Sequence, residues 1–273
     1  MNILQEIAAH TRERVAAQKR ITPPEQMMGL ARALPVVGFP FEAALRSDDI
    51  ALICEIKRAS PSKGVIAEEF PYLAIARDYE AAGAAAISVL TEPRWFGGDD
   101  RYLREIADAV ALPLLRKDFV VDPYMIDQAK TLGASAVLLI CALTGPKTLA
   151  EYVGIADELG LSALVETHND DEVRIALDSG ARVIGVNNRD LGTFDVDLTL
   201  SERLLPLVPP DVLFVAESGI QTADDVARLR AIGVDAVLIG ETIMRSADKT
   251  AAIRALRGAA GPSGMDRPHR SVG

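Results

Sequence analysis

Residues 51–64 read Ala51-Leu52-Ile53-Cys54-Glu55-Ile56-Lys57-Arg58-Ala59-Ser60-Pro61-Ser62-Lys63-Gly64. An apolar run flows into Glu55 and Lys57 and then breaks at Pro61 and Gly64. In a strand, residues two apart share a face, so Ile53, Glu55 and Lys57 point the same way. A carboxylate and an ammonium on an inward face are costly to desolvate unless they are paired or used. They fall at the strand's C-terminal end, ahead of a loop of small hydroxyl residues. The rest of the chain repeats this design.

Strand-like segments are predicted at 51–57, 85–90, 113–116, 135–140, 161–166, 182–187, 212–216 and 234–239. Helical patterns lie between and after them, near 71–82, 99–110, 122–132, 146–159, 169–179, 199–206, 221–231 and 247–257. Gly83, Gly133, Gly160, Gly180 and Gly233 stand just before the next strand, where a helix C-terminus often needs a left-handed residue. Eight continuous apolar strands, eight helices and short connections predict an α/β chain folded as a (β/α)8 barrel over 48–257. A doubly wound open sheet is the alternative, and the count of eight favours the barrel. Upstream, residues 1–47 are expected to form a helical extension packed on the barrel, with helices over 2–20 and 24–33. The segment 258–273 carries little apolar content and is expected to be disordered.

The chain has 273 residues, of which 49% are hydrophobic and 5% aromatic, so Ala, Val, Leu and Ile must fill the core. A formal charge of −10 disfavours nonspecific contact with nucleic acid or an anionic membrane. It leaves room for a local cationic pocket and an acidic small-molecule substrate. Cys54 and Cys141 both sit at strands and read as small buried hydrophobes of a reducing compartment. Met1 to Arg20 shows no signal-peptide core, and no apolar run approaches the roughly 20 residues of a membrane span. A soluble, cytoplasmic protein is expected. The sequence leaves oligomeric state open, a monomer being one expectation.

In a barrel of this kind, catalytic groups belong at the C-terminal strand ends and the loops after them. Glu55 and Lys57 end the first strand, Lys117 follows the third, Glu166 ends the fifth, Asn187 and Arg189 the sixth, and Glu217 the seventh. Any one of these charges is ordinarily a solvated loop residue, and Glu55 with Lys57 alone suits a structural ion pair. Five strands converging with such groups predict a ring of charges at close range, as acid–base chemistry requires. Ser218-Gly219-Ile220 and Gly240-Glu241 follow the last two strands, where this fold usually cradles phosphate on main-chain N–H groups. Trp95-Phe96-Gly97-Gly98 together with Phe119 offer an aromatic wall, with ordinary packing an equal alternative. His10, His168 and His269 are scattered, so no metal site is expected, and no nucleotide-binding fingerprint occurs. His168 lies two residues past Glu166, within reach of the site, although a loop or helix-cap role suits it better.

Glu55 to Ser62, Leu115 to Phe119, Leu164-Val165-Glu166, Gly185 to Leu191 and Ala216 to Ile220 together resemble the indole-3-glycerol phosphate synthase family, from the N-terminal helix to about residue 257. The first- and third-strand motifs are specific, whereas Glu-Ser-Gly-Ile is shared more widely among phosphate-binding barrels. The resemblance implies a lyase of tryptophan biosynthesis. It closes the ring of 1-(2-carboxyphenylamino)-1-deoxyribulose 5-phosphate with loss of carbon dioxide and water, using no metal or cofactor. It implies Lys117 as general acid and Glu166 as the acid–base group of dehydration. Lys57 pairs with the substrate carboxylate or shares the acid role. Glu55 and Glu217 would hold the lysines and the substrate hydroxyls, with Asn187 and Arg189 alongside and Ser218 beside the substrate. Gly219, Gly240 and Glu241 would meet the phosphate, with Lys57 and Ser60 nearby, and Ser62 would touch the substrate. Phe96, Phe119, Leu138, Leu191 and Pro61 would sandwich the arene. Asp99 and Met125 depart from residues common in the family, at its periphery. Two other readings stay open on the residues alone: an aldolase with a Schiff-base lysine at Lys117 or Lys57, and a non-catalytic sensor that keeps only the phosphate cradle.

Overall fold

All six residues of β1 (Ala51–Ile56) are buried, so the strand has no solvent face: Leu52, Cys54 and Ile56 pack outward and Ala51, Ile53 and Glu55 inward. The structure, a computed structural model, describes residues 3–190 and 192–258. Leu191 and all but the first residue of the expected disordered tail lie outside them. Helices α1 (Ile3–Ile21), α2 (Pro24–Arg32) and α3 (Pro40–Leu45) come before β1, and a hairpin of β2 (Ala59–Ser60) and β3 (Gly64–Val65) follows it. The chain then alternates: α4 (Tyr72–Ala81), β4 (Ala86–Leu90), α5 (Asp100–Ala109), β5 (Leu114–Lys117), α6 (Tyr124–Thr131), β6 (Ala136–Ile140), α7 (Pro146–Glu158), β7 (Ser162–Thr167) and α8 (Asp170–Asp178). It ends with β8 (Val183–Asn187), α9 (Thr199–Leu204), β9 (Leu213–Glu217), α10 (Ala223–Ala231), β10 (Ala236–Ile239), α11 (Glu241–Met244) and α12 (Lys249–Arg257).

Strands β1 and β4 to β10 close on themselves in the order β1-β10-β9-β8-β7-β6-β5-β4, every pair parallel, with β1 paired to both β10 and β4. Closure rules out the open sheet. Outward-facing residues of the strands form one cluster with the helices, and inward-facing residues form a second. At the N-terminal ends of the strands, Phe41 and Leu45 of α3 join that inner cluster. Glu42 of the same short helix bonds Ser162 at the start of β7 and Arg182 just before β8, so α3 plugs the floor of the barrel. The five glycines expected to end helices all take positive φ.

Strands β5 and β9 run one residue further than the apolar pattern indicates, taking in Lys117 and Glu217. The ladder is made by main-chain groups and ignores side-chain polarity: Leu90 pairs with Lys117, and Asn187 and Leu238 with Glu217. The hairpin after β1 and the helical form of residues 40–45 were also unexpected. Pro61 to Gly64 turn sharply, with Gly64 at φ 65°, which brings Ser60 opposite Gly64.

Helix α1 crosses the mouth of the barrel. Arg14 donates to both carboxylate oxygens of Asp118 at 2.8 Å and to the carbonyl of Thr91, and Lys19 pairs with Asp122 at 2.6 Å. Asp118 is fully buried and adjoins Lys117; burial opposes its ionisation, but Arg14 and Arg116 outweigh that and hold its carboxyl below the usual range. Removing Arg14 leaves Asp118 with Arg116, 3.6 Å away, as its remaining cationic partner, and a buried carboxylate that loses its closer partner is destabilised. Arg14→Ala is therefore expected to lower unfolding stability by about 3 kcal/mol, read from a urea titration. A loss below about 1 kcal/mol, typical of a surface pair, would contradict a structural tether here.

Candidate active site

Barrel interiors are filled in layers, each contributed by alternate strands and normally aliphatic. Here the topmost layer is charged. Glu55, Lys117, Glu166 and Glu217 come from β1, β5, β7 and β9, the first, third, fifth and seventh strands around the barrel. Lys117 Nζ lies 2.7 Å from Glu217 Oε2 and 3.1 Å from Glu166 Oε2. Lys57, just past β1, reaches back to Glu55 Oε1 at 2.6 Å. Two glycines make the room. A Cβ at Gly185 on β8 would collide with Glu217 Oε1, and one at Gly240 with Glu55 Oε1 and, at 3.0 Å, with Lys57 Nζ.

Two ammonium groups thus face three carboxylates, and one carboxylate must be disfavoured as an anion. Burial opposes a charge on Lys117, but Glu217, Glu166 and Glu55 together raise its pKa and keep it an ammonium. For Glu166, burial works against ionisation but is outweighed by Lys117, by His168 and by a hydrogen bond from Asn187, and its pKa is lowered. Glu217 has fewer such partners. Burial pushes it up, the charges of Glu166 and Glu55 add to that, Lys117 only partly compensates, and it titrates at about 7. Its Oε1 is buried without a hydrogen-bond partner among the described residues, as suits a carboxyl that holds the spare proton of the group.

Above this layer is a cavity of about 750 Å³, within the range of small-molecule sites. On one side Phe96 and Phe119 stand 5.9 Å apart, tilted by 39°, with Leu138 and Pro61 also on the wall. Glu92, fully buried, accepts the N–H groups of Arg94, Trp95 and Phe96 and so shapes the loop that presents Phe96. Trp95 does not line the cavity; it meets His10 edge-on at 5.4 Å. On the opposite side Ser218 and Gly219 both take positive φ, 65° and 83°, and a Cβ at Gly219 would strike Val196. Glu241 stands beside them, 3.1 Å from Arg245 and 3.7 Å from Lys63. Arg189 donates its N–H to Asn187 Oδ1 and its guanidinium to the carbonyl of Phe194. Ser60, Ser62, Arg189, Ser218, Gly240 and Glu241 line the same cavity.

A sequence model of the indole-3-glycerol phosphate synthase family matches residues 4–256. The chain is 54% identical over 259 residues to the indole-3-glycerol phosphate synthase of Ruminiclostridium cellulolyticum, covering 94% of this chain and 100% of that one. The chain belongs to the indole-3-glycerol phosphate synthase family. The Lachnoclostridium phytofermentans enzyme of the same name is 47% identical over 267 residues, covering 93% of this chain and 98% of the relative. Among solved structures, the thiamine phosphate pyrophosphorylase of Pyrococcus furiosus superposes with a TM-score of 0.57 at 19% identity, over 78% of this chain and 96% of that one. At that identity the likeness speaks to the barrel alone.

Of the residues that the family resemblance singles out in the sequence, the cavity gathers all but Leu191, which lies outside the described residues. The sequence reading missed Ile3, Leu4 and Ile7 of α1 as wall residues, along with Lys63, Phe194, Val196 and Arg245. The α1 residues carried a signal, an apolar helical face, and the family resemblance places such an extension over the barrel mouth, but nothing local singled out Ile3, Leu4 and Ile7. Among the described residues, no three His, Cys, Asp or Glu side chains are grouped as a metal ion would need, and no helix is long and apolar enough to cross a membrane.

Proposed function

We propose that this member of the indole-3-glycerol phosphate synthase family performs the ring closure by acid–base catalysis with its own side chains. The substrate is 1-(2-carboxyphenylamino)-1-deoxyribulose 5-phosphate and the product indole-3-glycerol phosphate. The observation that carries the reading is Lys117, kept charged between Glu166 and Glu217 on the floor of a cavity with an aromatic wall on one side. The arene lies against the wall of Phe96 and Phe119, with Leu138 and Pro61 around it. The phosphate rests on the main chain at Gly219, Gly240 and Glu241, and a substrate pinned at both ends has its reacting carbons held together.

The arene carbon bearing the carboxylate attacks the ketone carbon, and the ketone oxygen takes a proton from Lys117 as the bond forms. The carbon–carboxylate bond then breaks, its electrons restore the arene and carbon dioxide departs. The new hydroxyl leaves as water with a second proton, while one proton is taken from the neighbouring ring carbon. Glu166 is the acid–base group of this dehydration, oriented by Asn187. Lys57, held by Glu55, answers the substrate's anionic groups, and Glu217 steadies Lys117. Ser60, Ser62, Arg189 and Ser218 contact the sugar chain and its phosphate. Side chains supply every proton transfer, so neither stage calls on a metal or cofactor.

A Schiff-base lysine must give up its proton to act as a nucleophile. Lys117 is held in the opposite state, which weighs against an aldolase. Addition of the carboxyphenylamino substrate, in the presence of a chelator, is expected to give a rise in indole fluorescence. A silent assay with folded protein would refute the reading, and so would a stable adduct on borohydride reduction.

A further inference from the structure

Glu241 is an awkward neighbour for a phosphate. Its main chain belongs to the cradle described above, yet its side chain borders the same cavity, and two anions side by side repel. The fold answers with two cations on one oxygen. Glu241 Oε1 meets Arg245 Nε at 3.1 Å and Lys63 Nζ at 3.7 Å, and both cations also line the cavity. Arg245 stands one helical turn beyond Glu241, so its pairing is local. Lys63 comes from the far end of the chain, at the tip of the β2–β3 hairpin.

As a stabilising pair the Lys63 contact is poor. At 3.7 Å it is too long for a hydrogen bond, the lysine side chain is 45% exposed, and surface pairs of this kind contribute little. No hydrogen bond holds the ammonium among the described residues, so its three donors stay open to a ligand. The hairpin itself is well fixed. At its base the N–H groups of Ile66 and Ala67 donate to the carbonyl of Arg58, and the N–H of Ala59 donates to that of Phe96. Ser60 pairs with Gly64, and Gly64 at φ 65° closes the turn between them. One side of that turn brings Pro61 to the aromatic wall, and the other brings Lys63 to Glu241 and Arg245. A single short turn thus borders both ends of the cavity.

We propose that Lys63 is a phosphate-binding residue of this site, its ammonium donating to the substrate phosphate that rests on Gly219, Gly240 and Glu241. Arg245 stays with the Glu241 carboxylate and cancels its charge. The phosphate draws Lys63 from Glu241 because it carries more negative charge and offers more acceptor oxygens. Lys63 adds affinity and a preference for a phosphorylated chain, and takes no part in proton transfer. This role rests on the placing of the phosphate in the reading above.

The test is binding and steady-state kinetics with the full chain, for Lys63→Ala and Lys63→Arg. Inorganic phosphate, titrated by calorimetry, probes one end of the cavity and 2-aminobenzoate the other. Lys63→Ala is expected to weaken the binding of inorganic phosphate about ten-fold, the worth of one charge-assisted hydrogen bond, and to leave that of 2-aminobenzoate as it was. With the carboxyphenylamino substrate the loss should fall on KM rather than on kcat, and KM should rise less steeply with salt than in the wild type. Lys63→Arg should restore most of the affinity. A lysine needed only for the shape of the hairpin would cost both probes together, since Pro61 stands on the same turn. The role is overturned if Lys63→Ala binds inorganic phosphate as the wild type does, if both probes weaken alike, or if arginine serves no better than alanine. A wild type that binds phosphate and leaves the substrate unchanged would instead overturn the reaction, and the inorganic phosphate titration would still decide on Lys63.

Discussion

Lys117→Met is expected to lower kcat by about 10²–10⁴-fold, the usual contribution of a positioned general acid and equivalent to about 3–5 kcal/mol of barrier. Methionine keeps the aliphatic stem and removes the proton donor. The same change has a second signature that separates chemistry from folding. Without the ammonium, Glu166 and Glu217 face one another in a buried layer with nothing between them, and both carboxyls are driven up. A carboxyl whose folded pKa lies above its unfolded value favours the native state at low pH and costs stability as pH rises through the folded value. The variant should therefore be weakened at pH 8 and largely recovered near pH 5.5, while remaining inactive at both. Denaturant midpoints and kcat at the two pH values are the measurements. Near-wild-type turnover at either pH would remove Lys117 from the acid role.

How far such a site can be read from the chain depends on what each residue must do alone. The strands were legible because both faces are buried, which forces continuous apolar runs such as Ala51 to Ile53 and Ala136 to Ile140. The ring of Glu55, Lys117, Glu166 and Glu217 was legible because a charge at the end of such a run has no ordinary packing role. Their pairing, with Glu55 and Glu217 holding the lysines, followed only from the family resemblance and not from the residues themselves. Lys117 and Glu217 are a hundred positions apart, and only closure of the barrel makes them neighbours. Glu92 escaped notice for a related reason, since its task is to bind the backbone of its own loop and any loop carboxylate looks alike in sequence. The contacts of α1 were illegible too. Arg14 meets Asp118 across 104 positions, and an exposed-looking arginine on an amphipathic helix gives no hint of a fully buried partner.

Glu166→Gln is expected to divide activity from stability most sharply. The amide keeps the shape and can still bond Asn187, but it neither takes nor returns a proton at working pH, so kcat should fall about 10²–10⁴-fold. Stability should move the other way with pH. In the wild type, Glu217 binds a proton more tightly when folded, titrating at about 7 against an ordinary 4.5. Between those values the native state holds more protons than the unfolded chain, so stability declines as pH rises through that window. His168, also raised, adds a decline of the same sign from its ordinary 6.5 upward. The negative charge of Glu166 is a cause of both shifts, and removing it lowers both. The fall in denaturant midpoint from pH 5.5 to pH 8 should then be shallower in Glu166→Gln than in the wild type. A fall that is equal or steeper would mean that Glu217 and His168 do not feel Glu166 as neighbours do. The charge that serves the reaction is favoured at Glu166 itself, and its cost to stability is felt through the proton it drives onto Glu217.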